Sequence, residues 1–135
     1  MTISSELQRL VWQRAHDRCE YCQLPAEVAW LPFQIDHIIP EKLHGPTVLE
    51  NLALSCEHCN SHKGPLAAGY LGGKHIPLFH PRQERWSDHF EWNGPLLSGK
   101  TDVGRATIDV LAINRTDRVA VRRLLIEEGV FPPRE

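Results

Sequence analysis

No apolar run in this 135-residue chain approaches the roughly 20 residues that a membrane-crossing helix requires. The opening stretch, Met1-Thr-Ile-Ser-Ser-Glu6, lacks the basic-then-apolar pattern of a secretion signal, so a cytoplasmic, reducing setting with no membrane partner is the expectation. An excess of positive charge is also missing. The formal net charge is −2, and the residues up to position 70 hold five basic and eight acidic side chains. Bulk charge therefore does not argue for a DNA or RNA partner, and any phosphate-binding surface has to come from local patches or from a bound metal. Internal repeats and low-complexity segments are absent, which leaves one domain, or a small domain with an extension.

Four cysteines are present, and they fall in two matched pairs. Cys19-Glu-Tyr-Cys22 and Cys56-Glu-His-Cys59 are separated by 33 residues. In a reducing compartment such pairs favour metal over disulfide. Four thiolates fill a tetrahedral Zn²⁺ completely and leave no open coordination position, so one structural Zn²⁺ is expected at Cys19, Cys22, Cys56 and Cys59. Between the pairs lies the apolar stretch Phe33-Gln-Ile-Asp36-His37-Ile-Ile-Pro40, and Asn51 and Asn60 follow it.

A capping box at Ser5-Glu-Leu-Gln8 and apolar residues at helical spacing predict a helix over Ser5 to His16. A strand is expected at Phe33 to Ile38, a loop at Pro40 to Thr47, a second extended segment at Leu49 to Leu54, and a short helix at Glu57 to Lys63 stopped by Gly64-Pro65. Gly69 to Gly73 reads as a separator, giving a module at 1–70 and an extension at 71–135. In the extension, Trp86 to Trp92 followed by Asn93-Gly94 predicts a hairpin, and Thr101 to Ile113 and Thr116 to Glu128 predict two helices, the second closed by Gly129. On that last helix Val121, Leu124, Leu125 and Glu128 would share one face, and Arg115, Arg118 and Arg122 another. Trp12 and Trp30 are expected in the core.

Asp36-His37-Ile-Ile-Pro40, Glu50-Asn51-Leu52 and Cys59-Asn60-Ser-His-Lys63-Gly64 resemble the motif of HNH endonucleases, and the cysteine pairs resemble those of its zinc-stapled subgroup. The likeness covers about residues 19 to 64. It implies an α+β chain: a small ββα-metal module stapled by the four-cysteine zinc site, with the hairpin and two helices as a C-terminal extension. It also implies metal-dependent hydrolysis of nucleic-acid phosphodiesters, DNA being favoured over RNA. In those roles His37 would be the general base, since an imidazole with an ordinary pKa of about 6.5 suits proton removal near neutral pH. Asp36 and Asn60 would hold one catalytic divalent ion, Mg²⁺ or Mn²⁺ in view of their hard oxygen atoms. Asn51 would hold His37 in place through a backbone contact. Lys63 and His62 are the candidates for a substrate phosphate. The last residue of the family motif is often His, where this chain has Asn60. The competing expectation is a non-catalytic zinc-ribbon module that binds nucleic acid through the zinc knuckles and the arginine stripe.

Overall fold

The computed structural model describes residues 3–133. Helix α1 (Ser5–Ala15) is capped by Ser4, whose hydroxyl accepts from Leu7 N at 3.2 Å, while Gln8 reaches the Ile3 carbonyl. The cap thus lies one residue earlier than the capping box at Ser5 would place it. Two short strands follow, β1 (Gln34–His37) and β2 (Leu52–Ser55), paired antiparallel with Asp36 opposite Ala53 and His37 opposite Leu52. β2 is buried on both faces. Leu52 and Leu54 pack with Val11 and Ala15 of α1, and Ala53 joins the main core. Helix α2 (Glu57–Lys63) starts directly from β2 and stops at Gly64, whose φ of 51° is cheap only for glycine.

The glycine stretch after α2 is not a separator. β3 (Ala68–Leu71) and β4 (Lys74–Pro77) form a hairpin turned by Gly72 and Gly73, both at positive φ, so the expected boundary at 70 falls inside a strand. A second correction concerns the tryptophan segment. Trp86–His89 forms one helical turn (α3), and the hairpin is β5 (Phe90–Asn93) with β6 (Leu96–Gly99). The chain ends with α4 (Asp102–Val110), capped by Thr101, and α5 (Thr116–Glu127), closed at Gly129 by bonds from Gly129 N to Ile126 O and from Val130 N to Leu125 O. Among the described residues no helix is long and apolar enough to cross a membrane.

The cysteines share one core with the C-terminal elements, through Phe79, Phe90, Leu97, Leu111, Ile113 and Leu125. Polar bonds fix the seam. Trp86 Nε1 donates to the Tyr21 carbonyl at 2.9 Å, and Trp92 Nε1 donates to Gln23 Oε1 at 2.8 Å. These indoles are half-buried against the core and still satisfy their N–H groups. Trp86 and Trp92 do meet, with centroids 5.9 Å apart, although no strand connects them.

The arginine stripe does not exist as a surface. Arg122 is 4 % exposed and donates to the carbonyls of Pro95 and Ile113, with its guanidinium 5.1 Å over the Trp92 ring. The Ile113 carbonyl between α4 and α5 and the Pro95 carbonyl in the turn between β5 and β6 need donors, and a planar five-donor group serves both at once. Of the set expected to share the other face of this helix, Leu124 is 59 % exposed and only Leu125 is fully packed. Trp30 is also overturned as a core residue. It is completely exposed, whereas Trp12 stacks on Phe33 at 6.0 Å.

Candidate active site and metal centre

The cysteine cluster forms where the turn after α1 meets the start of α2. Cys19 N bonds Leu24 O, and Gln23, at φ 66°, returns its N–H to Cys19 O, closing a tight knuckle. In the second pair Cys56 is the N-cap of α2, its sulfur accepting from Cys59 N at 3.4 Å. All four sulfurs are buried and lie within 4.8 Å of one another, with Cys22 and Cys56 Sγ 3.7 Å apart. Zn–S bonds of about 2.3 Å in a tetrahedron put the sulfurs about 3.8 Å apart, so the cluster has the dimensions of a zinc site. Hydrogen bonds from the other thiols, Cys19 first, hold the Cys56 sulfur down as a thiolate, and bonding within the same cluster, again Cys19 first, pushes Cys22 and Cys59 up. Protein groups alone support little negative charge there, and a divalent cation is what would let the remaining thiols ionise.

Asp36 and His37 stand at the end of β1. The Asp36 carboxylate is 6 % exposed and accepts from Tyr21 OH at 2.7 Å through Oδ2 and from Lys63 Nζ at 3.1 Å through Oδ1. Burial pushes this carboxyl above the usual range, against the opposing pull of Lys63 and of the tyrosine hydroxyl. Burial likewise pushes the Tyr21 phenol well above its ordinary value, with the Asp36 charge adding to it, so Tyr21 is a neutral donor. Lys63 also donates to the His37 carbonyl at 3.1 Å and is 1 % exposed. Its ammonium is therefore taken up by Asp36, which corrects the expectation that it reaches outward to a phosphate.

His37 is half-buried, with a 2.9 Å hydrogen bond between its Nε2 and Thr47 Oγ1. The partner arrives by way of Asn51. Buried at 5 % exposure, the Asn51 amide accepts from Ile39 N at 2.9 Å and donates to the carbonyls of Ile39 (3.0 Å) and Pro46 (2.9 Å). It thus clamps both ends of the 39–46 loop, and Thr47 follows the clamped Pro46 directly. Gly45 lies inside the clamp, where a Cβ would collide with the Ile39 carbonyl oxygen and crowd Asn51 Nδ2. Asn51 was expected to hold His37 through a backbone contact; its side chain bonds the backbone of Ile39 and Pro46, and the group bonded to the His37 ring is Thr47, which no motif pointed to.

Asp36, His37 and Asn60 line one open cleft of about 330 Å³, together with Glu41, Lys42, Gly64 and Pro65. Asp36 and Asn60, a carboxylate and an amide lining the same space, are the donor types that suit a hard divalent ion, while the Lys63 ammonium 3.1 Å from Asp36 Oδ1 offsets part of the carboxylate's charge. His62 does not belong to that cleft. Two residues from Asn60 on a helix puts it on nearly the opposite face. There its Nδ1 donates to the His58 carbonyl, the two rings are 4.1 Å apart, and His58 Nε2 in turn donates to Ala112 O. Of the two sequence candidates for a substrate phosphate, Lys63 is paired with Asp36 and His62 lies outside this cleft.

Residues 19–66 match the family model of HNH endonuclease, a segment that contains both cysteine pairs, Asp36, His37, Asn51 and Asn60. The Septu protein PtuB of Bacillus thuringiensis is 28 % identical over 116 residues, which cover 84 % of this chain and 43 % of that protein. The chain therefore spans less than half the length of this relative. No solved structure matches.

Proposed function

We propose that the HNH endonuclease-family module formed by residues 19–66 hydrolyses nucleic-acid phosphodiester bonds, with DNA the first substrate to test and His37 as its general base. The observation that carries this reading is the mouth of the cleft, where the His37 ring is tethered at Nε2 by Thr47 beside Asp36 and Asn60. With the Thr47 hydroxyl accepting from Nε2–H, the free lone pair is on Nδ1, which takes the proton from an attacking water. A divalent ion on Asp36 and Asn60 supplies, when bound, the positive charge that stabilises the phosphoryl and leaving oxygens. Asn51 works at a distance by keeping the loop that delivers Thr47. The cleft is open and needs only a phosphodiester backbone, so low sequence specificity is expected. The rival zinc-ribbon reading depends on an arginine stripe whose third member, Arg122, is inside the protein.

Purified protein incubated with supercoiled plasmid should nick or linearise it in Mg²⁺ or Mn²⁺ and leave it intact in EDTA. A folded, zinc-loaded protein that cuts no plasmid, single-stranded DNA or RNA with any divalent ion would sink the proposal. The clamp offers a finer test. Gly45→Ala pushes a methyl group into the Ile39 carbonyl, and displacing a reacting group by about 1 Å typically costs about 100-fold. The turnover of this variant should fall by that order while plasmid binding, read by a gel-shift titration, stays within about twofold.

A further inference from the structure

We infer that Tyr21 is a positioning residue through which the first zinc knuckle delivers a hydroxyl to Asp36, setting how tightly that carboxylate holds its divalent ion. This deepens the regulation of the proposed nuclease site and rests on that reading. Tyr21 lies between Cys19 and Cys22 in the chain, is completely buried, and donates from its hydroxyl to Asp36 Oδ2 at 2.7 Å. Its backbone carbonyl is gripped from the other side by Trp86 Nε1 at 2.9 Å. Complete burial and bonds at both its carbonyl and its hydroxyl hold the residue in place. Asp36 then has one oxygen fixed by Tyr21 and the other by Lys63, so its plane is set before any ion arrives.

Packing alone does not call for the hydroxyl. A phenylalanine would fill the same core volume without importing a polar atom that needs a buried partner. Groups that orient a metal-binding side chain typically account for about 10–100-fold in metal affinity, because they fix the ligand and tune its basicity. The knuckle therefore does more than staple the fold: it carries the group that orients the carboxylate.

The test is Mn²⁺ affinity, measured by the electron paramagnetic resonance of free Mn²⁺, on zinc-loaded wild type, Tyr21→Phe and Asp36→Ala. Tyr21→Phe should keep one zinc and its circular dichroism, yet bind Mn²⁺ about tenfold or more weakly. Asp36→Ala should lose the site. Equal Mn²⁺ affinity in Tyr21→Phe and wild type overturns the inference and leaves the nuclease reading standing. Wild-type protein without Asp36-dependent Mn²⁺ binding overturns both. Should Tyr21→Phe fail to fold, wild type labelled with 3-fluorotyrosine decides. The chain has two tyrosines, Tyr21 and the exposed Tyr70, and Tyr70→Phe assigns their ¹⁹F resonances. Mg²⁺ should move the Tyr21 resonance along a saturating curve and leave Tyr70 in place; a Tyr21 resonance that Mg²⁺ does not move overturns the inference.

Discussion

Chelating zinc from the four-cysteine cluster should unfold most of the chain, well beyond silencing the cleft. The four cysteines are 0–4 % exposed and sit in the same core as Phe79, Phe90, Leu111 and Leu125, so the larger of the two hydrophobic clusters is built around them, and the smaller one, Val11 and Ala15 with Leu52 and Leu54, packs on the strand that leads into Cys56. Zinc bound by such a cluster contributes on the order of 10–16 kcal/mol in finger peptides. The entire stability of a domain is typically about 5–15 kcal/mol. Removing the ion also leaves four buried thiols that cannot all stay ionised. Tryptophan fluorescence follows the event. Trp86 and Trp92 are tied to the first knuckle through the Tyr21 carbonyl and the Gln23 side chain and should become solvated, while Trp30 is already exposed. Acid should act like a chelator, because protons compete with zinc for sulfur. Cys56→Ser should behave in the same way at neutral pH. A zinc-free protein that keeps its near-ultraviolet circular dichroism and melts within a few degrees of the loaded form would refute the argument.

What the chain disclosed in advance was its local chemistry. Two Cys-x2-Cys pairs are readable because each pair is held by one turn, and α2 is readable because Gly64 ends it where Lys63 predicts. The Asp-His pair and Asn60 stand out because residue type and spacing together carry the meaning. The partners of those groups were not visible. Thr47 reaches His37 only after Asn51 has folded an irregular loop back on Ile39 and Pro46. Lys63 meets Asp36 across 27 residues, and Trp86 meets Tyr21 across 65. Such contacts follow from how elements pack, which periodicity does not encode. Arg122 shows the same limit from the other side. Helical spacing grouped it with Arg115 and Arg118, but unpaired carbonyls at Pro95 and Ile113 drew it inside. Gly69 to Gly73 misled because glycine marks a flexible linker and a tight hairpin turn alike.

His37→Ala should abolish cleavage while leaving the rest of the protein as it was. Loss of a general base typically costs about 10²–10⁴-fold in rate. The side chain is half-buried and its one hydrogen-bond partner among the described residues is a hydroxyl that water can satisfy in its place, so the fold loses little. The bonds that hold the site's framework do not pass through the imidazole. Lys63 grips the His37 carbonyl, which alanine keeps, and Asn51 grips Ile39. Zinc content, melting temperature and plasmid affinity should therefore match the wild type, with turnover alone collapsing in Mg²⁺ and in Mn²⁺. Single-turnover cleavage of a defined duplex at saturating protein reads the chemical step apart from binding. If the variant cuts within about threefold of wild type, another group removes the proton and the assignment of His37 is wrong. If it loses binding and zinc along with activity, the residue is structural, and the tether from Thr47 serves the loop more than the reaction.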